Sequence, residues 1–232
     1  MGVVYAGAIG GTVLGVAGGI VFGTYRQPSG SMWPTLTVGE RLFANRLLRE
    51  PERGAVVVFR YPEHPEQSFV KRIVGLPGDV VAVTNGQVSV NGWQIPRCLV
   101  GKTAYTDDGA TGDSSSKHEG TLAVEYLGAA SYLVFEIETP FGSPGDRNHW
   151  SVAPGHYFVL GDNRNNSHDS RMWFGGAGGG VPFGHTQGRV RGHEVPELPS
   201  KMEGAAALSA ALAACLASRP AQTTPPRAVP TK

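Results

Sequence analysis

Val80-Val-Ala-Val-Thr-Asn-Gly-Gln-Val-Ser-Val-Asn-Gly92 is the stretch from which the fold can be read. Two β-branched runs are separated by Asn85-Gly86, a pair that tolerates the positive φ required by a two-residue hairpin turn. Asn91-Gly92 supplies a second turn directly after. Working outward, Ala55-Val-Val-Val-Phe59 and Tyr157-Phe-Val-Leu160 are further short runs bounded by Gly, Pro and Asn. Thr121 to Leu127 and Ser131 to Ile137 predict another hairpin around Gly128-Ala129-Ala130. No helix-period pattern of useful length occurs between Arg26 and Pro199, so the body reads as mainly β. The polar stretch Asp107 to Gly120 predicts a mobile loop. Lys201 to Ser218 predicts an Ala/Leu-rich helix, and Arg219 to Lys232, rich in Pro and Thr, a disordered tail.

The chain has 232 residues, of which 33 are glycine, about twice the usual share. A formal net charge of +1 argues against a nucleic-acid binder, which carries a basic excess. Two cysteines exclude a disulfide-dense scaffold and a Cys-rich zinc site. The seven histidines show no metal-ligand spacing, and His168 reads as a solvated loop residue. Neither a metal nor a cofactor is expected.

Gly2 to Tyr25 carries no charge and ends at Arg26. As a helix it would span roughly 36 Å, enough to cross a bilayer core of about 30 Å. Gly7, Gly11, Gly15, Gly19 and Gly23 recur every fourth residue and predict a stripe where a partner helix can approach closely. No Lys or Arg precedes the span and Arg26 follows it, which by the positive-inside rule leans against an external body.

Three segments carry chemistry. Pro28-Ser-Gly-Ser-Met-Trp-Pro-Thr-Leu36 sets two serines in a small-residue turn, where a hydroxyl can stand clear beside backbone N–H groups. Ser68-Phe-Val-Lys-Arg-Ile-Val-Gly-Leu-Pro-Gly-Asp79 places Lys71 in an apolar run, and a desolvated lysine loses pKa until it serves as a base near neutrality. Strand alternation sends Arg72 to the opposite face. Gly161-Asp-Asn-Arg-Asn-Asn-Ser-His-Asp-Ser-Arg171 follows a strand with nearly every polar type, and Asp169 and Arg171 are placed to pair.

In this order the three segments resemble the bacterial type I signal peptidases, membrane-anchored serine proteases that remove signal peptides. The resemblance implies Ser31 as nucleophile and Lys71 as general base. Ser29 would help a neighbouring backbone N–H hold the oxyanion, Ser167 would orient Lys71, and Asp169 and Arg171 would form a supporting ion pair. Met32, Phe69 and Val70 are candidate pocket walls by neighbourhood, for substrates with small side chains near the cut. Gln27 departs from the family's usual apolar residue, and the glycine-rich run between Phe174 and Val181 from its usual connection.

The implied organisation is a transmembrane anchor over residues 1–25 and a catalytic β domain over 26–198, with a variable inserted hairpin region over 98–146. An Ala-rich helix and tail follow over 199–232. Its implied partners are signal peptides of preproteins and the lipid bilayer of the bacterial plasma membrane, with the body on the extracytoplasmic side. Cys98 and Cys215 would then face an oxidising compartment, where they would either pair or stay as two separately buried thiols. Two rivals fit less well. A self-cleaving repressor needs a DNA-binding domain where the uncharged span stands, and a non-enzymatic anchored β-domain has no need of the Ser29, Ser31, Lys71 and Ser167 set.

Overall fold

The structure, a computed structural model, describes residues 21–107, 116–138, 148–193, 196–200 and 202–227. Strands follow one another along the chain as β1 (Phe22–Arg26), β2 (Arg41–Asn45), β3 (Val56–Arg60), β4 (Ser68–Gly75) and β5 (Val80–Thr84). Next come β6 (Gln87–Val90), β7 (Trp93–Gln94), β8 (Arg97–Asp107), β9 (Ser116–Leu127) and β10 (Ala130–Ile137). The last four are β11 (His149–Ser151), β12 (His156–Leu160), β13 (Val181–Pro182) and β14 (Thr186–Val190), ahead of helix α1 (Ala205–Ala217).

These strands form a seven-stranded sheet in the order β1-β2-β14-β3-β4-β12-β13, a three-stranded ribbon β10-β9-β8 and a four-stranded sheet β11-β5-β6-β7. The Asn-Gly turns are where the sequence puts them: Asn85 and Gly86 have φ of 49° and 74°, and Asn91 and Gly92 of 53° and 77°. Strand β4 lies between β3 and β12, and all eight of its residues are buried. Its apolar side chains are shared among three cores, with Val74 in the one around Val81 and Phe158. Val70 packs with Met32, Leu36 and Leu42, while Phe69 and Ile73 pack with Phe59, Tyr157 and Trp173.

Three expectations need correction. Phe22 to Tyr25 do not continue a helical span: they pair with β2 from Phe22↔Asn45 to Arg26↔Arg41, so Gly23 belongs to a strand. Gly7, Gly11, Gly15 and Gly19 lie outside the described residues, and among those described no helix is long and apolar enough to cross a membrane. Asp107 to Gly120 is not one loop, because β8 runs to Asp107 and β9 begins at Ser116, in register as Asp107↔Ser116. Long antiparallel pairing supplied backbone partners that the polar side chains did not advertise.

The Ala/Leu-rich segment forms a helix as expected, and the segment that follows it gives the third correction. Leu212 and Cys215 of α1, with Leu208 and Leu216 beside them, pack on Val100, Leu122 and Val124 of the ribbon. A disulfide joins Cys98 to Cys215, and Tyr126 Oη donates to the Cys215 carbonyl. The segment after α1 is docked as far as it is described. The Gly128 N–H donates to the Thr223 carbonyl at 2.7 Å, and Asn91 Nδ2 donates to that of Pro226 at 2.8 Å.

Candidate active site

Ser29 has an extended backbone and opens a short 3-10 turn, Gly30–Met32, that carries Ser31. This turn is anchored from several directions. Met32 is fully buried under β1 to β4, and Trp33 stacks on Tyr105 of β8 with ring centroids 4.1 Å apart. Gln27 is buried as well, its backbone paired with Gly39 and Glu40, and its side-chain amide donates to the Ser29 carbonyl. An apolar residue at that position would have no such donor.

Lys71 reaches Ser31 from β4. Its Nζ donates to Ser31 Oγ at 2.8 Å and to the Val70 carbonyl at 3.0 Å, and it lies 5.5 Å from the centre of the Phe69 ring. Lys71 is fully buried and Ser31 is 4% exposed. Burial pulls the Lys71 ammonium down to about 8, aided by the positive charge of Arg171 and opposed by Asp169 and Asp162. The Ser31 N–H donates to Ser29 Oγ at 3.5 Å, and Ser29 Oγ donates to Ser31 Oγ at 3.3 Å, so both groups lie beside the Ser31 hydroxyl.

The polar loop after β12 is held by buried charge. Arg72, on the opposite face of β4 from Lys71, donates through Nε to Asp162 Oδ1 at 2.8 Å and through Nη2 to Oδ2 at 2.6 Å. Its guanidinium also lies 4.0 Å from the centre of the Tyr132 ring. Arg164 makes a two-pronged pair with Glu125 of β9. Burial alone would raise Glu125, but Arg164 and Arg97 outweigh it and hold the carboxyl below its usual range. Asp169 and Arg171 pair through two bonds of 2.8 Å. Burial opposes ionisation of Asp169 too, and Arg171 with the Gly161 N–H overcomes it.

Between these pairs, Asn163 returns to the turn that carries Ser31. Its N–H donates to the Ser31 carbonyl at 3.2 Å and its Nδ2 to the Gly30 carbonyl at 3.0 Å. Gly161 is required by space, since a Cβ there would stand 2.5 Å from the Ser31 carbonyl oxygen. The structure therefore brings Ser29, Ser31, Lys71, Asp169 and Arg171 into one neighbourhood.

Other expected residues are placed differently. Ser167 Oγ is buried with no hydrogen-bond partner; it sits near enough to Asp169 to favour the ionised carboxylate but makes no bond to Lys71. Lys71 Nζ donates to the Val70 carbonyl instead. Met32 and Val70 are wholly buried core residues, and Phe69 is stacked beneath Tyr61 at 4.4 Å, so none presents a pocket wall. His168 is not a solvated residue: it is half-buried, its Nε2 3.0 Å from Tyr61 Oη, and burial keeps it below the usual histidine range. A cavity touching Arg53, Ala130, Arg189 and His193 borders Arg72 rather than Ser31. Arg53 there pairs with Asp79, and Arg189 with Glu52. Asp162, Asn163 and Glu125 were not singled out from the sequence. Arg72 was the available signal, since an arginine facing inward from a buried strand requires a carboxylate.

The family model described as "Signal peptidase, peptidase S26" matches residues 2–193. Signal peptidase I of Pseudomonas aeruginosa is 38% identical over 165 residues, covering 64% of this chain and 54% of that protein. Signal peptidase I of Aquifex aeolicus is 32% identical over 191 residues, covering 72% and 73%. A solved signal peptidase I from Enterococcus faecalis is 27% identical, covers 62% of this chain and 99% of that one, and gives a TM-score of 0.35, too low to compare the folds. The chain spans about half the length of the Pseudomonas relatives it matches. Helix α1 lies beyond the matched residues.

Proposed function

The chain belongs to the signal peptidase family, peptidase S26, and we propose that it is a serine endopeptidase that cleaves signal peptides from secreted preproteins. The observation that carries this reading is the 2.8 Å contact between Lys71 Nζ and Ser31 Oγ in a site from which water is largely excluded. Once Lys71 gives up its proton, its lone pair takes the hydroxyl proton as Ser31 Oγ attacks the scissile carbonyl. The Ser31 N–H and the Ser29 hydroxyl stabilise the resulting oxyanion. The Lys71 ammonium then protonates the departing amine, and it is again the base when water hydrolyses the acyl-enzyme.

In this reading the uncharged N-terminal segment anchors the protein in the bacterial plasma membrane, with the body on the extracytoplasmic side. Substrate cleavage sites emerge at that bilayer surface. The glycine stripe from Gly7 to Gly19 offers a face for a partner helix. Purified protein in detergent, incubated with a preprotein, should release the mature chain. Ser31→Ala and Lys71→Arg should each abolish release while keeping the fold, the latter because a guanidinium stays protonated. Cleavage by Lys71→Arg at the wild-type rate refutes the dyad.

A further inference from the structure

Gly30 separates the two serines, yet its backbone is not in the left-handed region that favours glycine. Space is what demands it: a Cβ at Gly30 would stand 2.9 Å from both Tyr105 Oη and Asp107 Oδ2. Tyr105 comes from β8, a strand carrying none of the three polar segments, and is 3% exposed. Its hydroxyl accepts from Asn163 Nδ2 at 2.8 Å, the same amide group that donates to the Gly30 carbonyl. Its ring is stacked within 13° of parallel on Trp33. The phenol thus grips the turn on both sides of Ser31, through Asn163 and Gly30 before it and Trp33 after it.

Lys71 is held independently, by its place in β4 and its bond to the Val70 carbonyl. We propose that Tyr105 is a positioning residue for Ser31, fixing the nucleophile turn against a base that is anchored on a different element. This rests on the reading of Ser31 as the nucleophile. Tyr105 acts on where Oγ sits, leaving the charge state of Lys71 unchanged, since burial, Asp169, Asp162 and Arg171 set that charge. Burial keeps the phenol itself neutral, raising it to about 12.

Tyr105→Phe separates the two contacts, keeping the ring on Trp33 and removing the oxygen. With a purified preprotein under single-turnover conditions, enzyme in excess, the cleavage rate constant should fall about tenfold, the effect of losing one hydrogen bond that aligns reacting groups. The enzyme concentration for half-maximal rate and the pH midpoint of the rate should match wild type. Tyr105→Ala, which also loses the stack, should fall further. Single-turnover rates count only competent molecules, so an unchanged rate constant in Tyr105→Phe overturns the proposal, even if steady-state activity drops through loss of folded protein. A shifted pH midpoint also overturns it, because Tyr105 would then be acting on Lys71. If Ser31→Ala cleaves like wild type, the reading beneath the proposal fails and the proposal with it.

Discussion

In the proposed mechanism Lys71 serves two opposed requirements, because the burial that makes it a usable base also makes it expensive to keep charged. With its pKa depressed to about 8, the cleavage rate should rise with pH through that value and level off above it. The same shift has a stability consequence of definite sign. Below pH 8 the folded and unfolded chains both hold the Lys71 proton, and the folded chain bears the full burial penalty. From about 8 up to the ordinary lysine value of 10.5, the unfolded chain binds more protons, so stability rises with pH. The full shift amounts to ~3 kcal/mol. Lys71→Met removes that penalty but also loses two hydrogen bonds, at about 1 kcal/mol each. The inactive variant should therefore be ~1 kcal/mol more stable than wild type at pH 7 and ~2 kcal/mol less stable once pH exceeds the unfolded pKa. Denaturant midpoints of both proteins across this range decide it: curves that never cross would mean burial does not depress Lys71.

Among the elements, the loop after β12 shows how charged side chains can be buried like those of a core strand. Its charges are neutralised by partners on other strands, Asp162 by Arg72 on β4 and Arg164 by Glu125 on β9. Losing one member leaves the other charged and dry, whereas replacing both removes the problem. Asp162→Asn should therefore cost about 3–5 kcal/mol in denaturant unfolding. Combining it with Arg72→Met should recover much of that loss, and a double variant no better than the single would show that the pair is not the cause. Legibility in the sequence follows the same division. The Asn85-Gly86 and Asn91-Gly92 turns, and the strands beside them, were legible because local chemistry fixes them. The Ser31, Lys71, Asp169 and Arg171 neighbourhood was legible through motifs. The contacts of Glu125, Asn163 and Tyr105 were hidden, because only tertiary pairing brings β8 and β9 against the loop. Ser167 and Met32 show the converse, since nearness in a motif did not settle which atoms touch.

For the whole molecule, the part least visible in the sequence is the docking of the segment after α1. Arg219 to Arg227 looks disordered by composition, yet Thr223 and Pro226 accept backbone and side-chain bonds from Gly128 and Asn91. Helix α1 shares its core with the ribbon and with Trp33, beside the turn that carries Ser31. The Cys98–Cys215 bond closes a separation of 117 residues. A closed loop that long restricts the unfolded chain by up to about 4–5 kcal/mol, with delivered values more often about 2–4 kcal/mol. At the usual scaling for a chain of this size, a 3 kcal/mol loss lowers the thermal midpoint by roughly 6–12 °C. Reduced wild type should melt lower by that amount, and Cys98→Ser/Cys215→Ser should melt at the reduced wild-type temperature whether or not reductant is present. Thiol titration of the unfolded sample verifies that the bond has been opened. If wild type with two titrated thiols melts where the oxidised protein does, α1 is held by packing alone, and the disulfide contributes nothing to the stability of the assembled body.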